Sequence, residues 1–168
     1  MKEKKNGCEL CRGNKDSIKN LYKTIQKKYD LPPFKYLDEN FDISKYDWNK
    51  NTFLRDIRKM IENKFYTTLQ FIELLLNPSN GSMFHFFLVN GMNGIEKSTL
   101  KNLFENLGEI EINSIALDIN FDEKKEAEFI KNSCKSWEKI KPELEKIIDS
   151  IKSNWKKTNK TKGKSYFG

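Results

Sequence analysis

The chain has 168 residues, 33% of them charged and 37% apolar, with a mean hydropathy of -0.76 and a formal net charge of +7. That is enough apolar material for the core of one domain, whereas the longest apolar run, residues 83–89, is split by His85 and falls far short of the roughly twenty residues of a membrane span. Three cysteines, Cys8, Cys11 and Cys134, are too few for a disulfide framework, and Met1-Lys2-Glu3-Lys4-Lys5 is charged with no apolar stretch behind it, so a reducing, cytoplasmic setting without a membrane partner is the expectation.

The charge is unevenly placed. Residues 1–28 carry nine basic and three acidic side chains, residues 29–151 carry sixteen basic and twenty-one acidic, and residues 152–168 carry six lysines and no acid. This is the distribution of a mildly acidic body with basic ends. Lysine outnumbers arginine 28 to 3 and asparagine occurs 18 times, a bias that speaks of base composition more than of binding chemistry.

Residues 1–14 hold little apolar material and read as a basic N-terminal arm. From Asp16, a suitable N-cap, Ile18, Leu21, Tyr22, Ile25 and Tyr29 recur at helical spacing until Pro32-Pro33 forbids continuation, giving a first helix over about 16–30. Residues 31–50 show no period and read as a long ordered connection pinned by Phe34, Tyr36, Phe41, Tyr46 and Trp48.

The strongest element is 51–77, where Leu54, Ile57, Ile61, Phe65, Leu69, Ile72 and Leu76 trace one face and residues 78–81, Pro-Ser-Asn-Gly, end it. Residues 83–89 fit a buried strand or a helix capped by Ser82. Residues 95–107 are helical on either reading, with Gly108 as the stop. Residues 110–121 fit an alternating strand or a helix with Ile112, Ile115, Ala116 and Ile119 inward. A last long helix starts after Asp122, is kinked or broken at Pro142, and gives way to a polar, disordered basic tail over 156–168.

The segment Phe87-Leu88-Val89-Asn90-Gly91-Met92-Asn93-Gly94-Ile95-Glu96-Lys97-Ser98-Thr99 resembles the phosphate-binding loop of P-loop ATPases over about fifteen residues. The resemblance implies that Lys97 would offset phosphate charge and Ser98 would ligate magnesium, with Asp118, after Ile115-Ala116-Leu117, imitating the acid that assists the metal. Glu96 departs from the pattern, standing where the loop's second essential glycine belongs.

Cys8 and Cys11 have the spacing of half a zinc site, and Cys134 with the single histidine, His85, could complete a Cys3His set. No nucleophile, base and orienting acid stand together in the sequence. Arg55, Arg58 and Lys59 at the start of the third segment, with Lys156, Lys157 and Lys160 beside Trp155, could contact phosphates if they share a face.

The expectation is a mainly α single-domain helical bundle over 15–155 with at most a small two-stranded element, a small α/β fold being the alternative. Functionally it is a non-enzymatic accessory or inhibitory binding module for a protein or nucleoprotein partner. The alternatives are a nucleotide-binding protein or nucleotide-dependent enzyme using residues 91–99, a nucleic-acid-binding protein using the basic ends, and a metal-dependent enzyme using the cysteines.

Overall fold

The structure is a computed structural model that describes the backbone of residues 10–45 and 51–162 and the side chains of 18–45 and 51–156. In chain order it comprises α1 (Leu10–Tyr29), α2 (Phe34–Phe41), a 3-10 turn (Ile43–Lys45), α3 (Phe53–Leu76), a second 3-10 turn (Pro78–Asn80), α4 (Met83–Val89), α5 (Gly94–Ile119) and α6 (Glu123–Lys162). There is no strand among the described residues, and the fold is a mainly α-helical bundle. The two-stranded element and the α/β alternative are therefore set aside.

Helix α3 is the central element: α5 and α6 both pack along it, and Ile57, Ile61, Phe65 and Ile72 on its inward stripe are enclosed. Each such side chain contributes about 1.5–3 kcal/mol on leaving water. At one end the core is aromatic. Tyr22 of α1 meets Phe34 and Phe53 edge-on at centroid distances of 5.5 and 6.4 Å, and Trp137 of α6 meets Phe65 edge-on at 5.6 Å.

Helix α1 begins at Leu10, so Asp16 lies inside it and does not cap it. Asp30, in the left-handed region at φ 52°, turns the chain out, and the Leu31 N–H closes back on the Gln26 carbonyl at 3.1 Å. The segment expected to be an aperiodic connection contains α2, a two-turn helix whose Leu37 and Phe41, four apart, are its buried pair. Phe34 and Tyr36 between the same bounds obscure that spacing. Tyr36 and Asn40 fasten α2 to α6, the first donating to the Cys134 carbonyl at 3.1 Å and the second accepting from the Trp137 indole at 3.1 Å. Tyr46 and Trp48 lie outside the described residues.

Two N-terminal caps settle the ambiguous middle of the chain as helix. Ser82 and His85 form a reciprocal capping box at the start of α4, and Asn93 with Glu96 forms another at the start of α5. Gly91, at φ 95°, makes the reversal between them, a conformation that costs a side-chain-bearing residue roughly 1–2 kcal/mol. Gly108 does not stop α5, which runs on to Ile119. Its second half holds Ile112, Ile115 and Ile119 at i, i+3 and i+7, a helical stripe that also satisfies an alternating pattern when read locally, and extending the helix adds a hydrogen bond per residue without needing a partner strand. These isoleucines face outward, not inward as the helical reading had them; Ser114 and Leu117 are the buried positions.

Helix α6 is continuous through Pro142, whose ring stands on the exposed side, and its backbone continues to Lys162, past the boundary expected at residue 156. No helix among the described residues is long and apolar enough to cross a membrane.

Candidate functional site

Arg58 lies on the inward stripe of α3 between Leu54 and Ile61 and is fully enclosed. Its Nε donates to Glu126 Oε2 of α6 at 2.6 Å, Nη1 to Glu62 Oε2 at 2.9 Å and to Ser114 Oγ at 2.5 Å, and Nη2 to Asp118 Oδ1 at 2.5 Å. Lys59 reaches Asp118 and Glu62 from the outer side, and the Arg55 Nε stands 3.9 Å from Glu126 Oε1, with its guanidinium over the Phe121 ring at 4.4 Å. The result is a cross-helix knot of charges that joins α3, α5 and α6.

Burial pushes the Glu126 carboxyl above its ordinary range, against the pull of Arg58; Glu111, beside the knot with one buried unpartnered oxygen, is pushed up by burial and by Glu62. Burial also acts on Asp118, but hydrogen bonds from Lys59 and Arg58 outweigh it and hold that carboxyl low. Burial disfavours the charged form, while donors and cations favour it. Arg58 is therefore a hub spent on internal acceptors, and it stands beside Glu126, at the opposite end of α6 from Lys156, so Arg55, Arg58 and Lys59 do not share a face with the lysines beside Trp155. Sequence reasoning missed Ser114, Glu62 and Glu126 and gave Asp118 another role. The available signal was position: an arginine three and four residues from Ile61 and Leu54 falls on a core stripe.

The segment 91–99 is a turn and a helix start, preceded by helix α4 instead of a strand. Asn93 Oδ1 accepts from the Glu96 N–H at 2.9 Å, while Glu96 Oε2 accepts from the Asn93 N–H at 2.7 Å and its other oxygen accepts from the Ser150 hydroxyl of α6. The side chain that breaks the phosphate-loop pattern thus occupies the α5 N-terminus, where an anion would otherwise be drawn. Lys97 and Ser98 are exposed on the first turn of α5.

Cys8 lies outside the described residues, and of Cys11 only the backbone, in α1, is described. Cys134 is buried against Tyr22 and Tyr36, its thiol pushed up to about 12 by burial and then by Glu138. His85 caps α4, and its neighbour Phe84 packs on Trp155, twenty-one residues beyond Cys134 on α6 and so about 30 Å along the helix axis. One tetrahedral ion cannot join Cys134 and His85 across that distance. No group of three or more His, Cys, Asp or Glu suited to a metal ion occurs among the described residues.

An opening of about 670 Å³ lies between α5 and α6, with Asn106, Asn113 and Asn120 spaced one heptad apart along one wall. Lys125 and Lys139 balance Glu109 and Glu128 around it, so it has no charge preference.

The molecule's other end differs. In α4, Met83, Phe84 and Phe86 are 68%, 51% and 46% exposed, although Phe84 and Phe87 lean edge-on against Trp155 of α6 at 5.5 and 6.4 Å. Asn154 donates to the Gly91 carbonyl at 3.3 Å, and Glu96 reaches Ser150, so α4, the start of α5 and the end of α6 meet at one pole. Lys97, Lys152 and Lys156 are exposed there, and Lys157 and Lys160 follow in the backbone of α6. Comparison with known proteins adds no relative: no family model, no curated protein and no solved structure matches this chain.

Proposed function

We propose that this protein is a non-enzymatic binding module that docks a protein partner on the pole formed by α4, the start of α5 and the end of α6. The observation that carries the reading is the exposure of Met83, Phe84 and Phe86 on a helix that is capped at its start and braced by Trp155. Apolar side chains held out on a rigid support are characteristic of interaction sites, and Met and Phe supply adaptable and large contact area. The lysines beside them select an acidic partner surface and steer its approach.

A protein is favoured over nucleic acid because, among the described side chains, the forked guanidinium groups that recognise phosphates, those of Arg55 and Arg58, lie at the start of α3, far from this pole and engaged with carboxylates and Phe121. The test is affinity capture from the native cell with the whole chain and with a Phe84→Ser, Phe86→Ser variant, with and without nuclease. The reading expects a protein retained by wild type, lost with the double variant, indifferent to nuclease, and bound again when purified. Capture that the variant preserves, or that nuclease abolishes, overturns it.

A further inference from the structure

The outer face of α5 is apolar and exposed: Ile112, Ile115 and Ile119 are 68%, 48% and 73% exposed, and Phe121, just past the helix, is 54% exposed with Arg55 over one face of its ring. At 3.6 residues per turn they extend a single stripe that also carries Lys101, Phe104 and Gly108. Gly108 is unexplained by the fold. It sits in the helix interior, where glycine is unfavourable, and a Cβ there would meet no atom within 4 Å. A hole beside a row of isoleucine knobs is the pattern of a helix surface that another helix approaches closely.

We infer that the occupant is a second copy of this chain, its α5 packed antiparallel on the first about a two-fold axis between Glu111 and Ile112. In that register Gly108 receives Ile115 of the second copy, Phe104 meets its Ile119, and Lys101 meets its Asp122, each contact occurring twice by symmetry. The charges at the two ends of the stripe determine the direction: Lys97 and Lys101 are at its start and Asp122 and Glu123 at its finish, so an antiparallel pair juxtaposes opposite signs and a parallel pair like signs. Glu105, on the stripe's flank, is already paired with Lys101 at 3.9 Å, and Asp122 turns one oxygen to the N–H groups of Lys124 and Lys125, leaving its other oxygen for the incoming lysine. A single helix face offers less than the roughly 800 Å² per partner of tight complexes, so the dimer is weak, half-formed at about 10–100 µM.

Sedimentation velocity of the full chain over about 1–300 µM, a range that brackets an interface of this size, tests the inference. Wild type should shift reversibly from monomer to dimer. Gly108→Leu fills the hole while facing open solvent in the monomer, so it should raise the melting temperature yet abolish the shift; Ile115→Glu should abolish it too, and Phe84→Ser, at the other surface, should not. A chain that stays monomeric throughout, or a dimer indifferent to both α5 substitutions, overturns the proposal, and either result leaves the α4 reading standing.

Discussion

Arg58 of α3 and Glu126 of α6 are both fully enclosed and share a 2.6 Å hydrogen bond, although 68 residues separate them in sequence. Removing Arg58 leaves the enclosed Glu126 with only Arg55 at 3.9 Å, and removing Glu126 takes from the enclosed guanidinium its one fully buried carboxylate, losses of about 3–5 kcal/mol for a broken buried pair. Glu126→Ala and Arg58→Met should each lower the urea midpoint by a corresponding amount. Lys59→Met, which removes a half-exposed cation from the same knot, should cost under about 1 kcal/mol. Chemical denaturation of the three variants at neutral pH measures the contrast, and equal losses would contradict the hub assigned to Arg58.

The carboxylates around that hub should give opposite pH responses. Asp118 is held below its unfolded value of 3.8, so its contribution is complete above that value and fades as the pH falls through its folded value. Asp118→Asn should therefore lose more stability at pH 7 than at pH 3. Glu111 is held above its unfolded value of 4.5, so its penalty begins as the pH rises through 4.5 and is complete above the folded value. Glu111→Gln should raise the melting temperature by about 1–2 °C at pH 7 and have no effect near pH 3, since the group is only partly screened from water.

The helix start that resembles a phosphate loop should behave as a capping site. Asn93→Ala removes the acceptor for the Glu96 N–H and should cost about 1 kcal/mol. Glu96→Ala should be at least as costly, because its carboxylate also accepts from Ser150 across the pole. Magnesium ATP should leave the melting temperature of wild type and of Lys97→Ala unchanged within about 0.5 °C, a shift that would need a well-occupied ligand site.

Cys134 should be inert while the protein is folded. With its thiol pushed up to about 12, only about one molecule in ten thousand carries the reactive thiolate at pH 8. Peptide mapping after maleimide treatment should find Cys134 unmodified in native protein and modified fully in denaturant.

How much of this was legible in the sequence depended on how many readings a local pattern allowed. Helix α3 was plain, because Leu54, Ile57, Ile61 and Phe65 repeat on one face and residues 78–81, Pro-Ser-Asn-Gly, close it. Helix α5 was not, because it is apolar on opposite faces: Leu103, Leu107 and Leu117 point to the core while Ile112, Ile115 and Ile119 point away, and a two-faced helix mimics alternation over a few residues. The charge knot was illegible for another reason. Arg58 could be placed on a core stripe, but its acceptors come from α5 and α6, and their meeting depends on tertiary packing that spacing along the chain does not encode.

The two-faced character of α5 also poses a choice during assembly. Rolled by half a turn, its second half could bury Ile112, Ile115 and Ile119 with an apolar gain similar to that of the native face, so hydrophobic area alone selects weakly between the two docked forms. Only the native roll delivers Ser114 and Asp118 to the guanidinium of Arg58; the other leaves an enclosed cation short of two of its acceptors, at a cost of about 1–3 kcal/mol for each buried donor left unsatisfied. The knot thus acts as a keyed joint, and its worth lies in excluding the misrolled bundle more than in holding the correct one. Replacing Arg58, Ser114, Asp118 and Glu126 together by apolar residues should yield a chain that still collapses and stays helical but gives broadened amide resonances from interconverting packings.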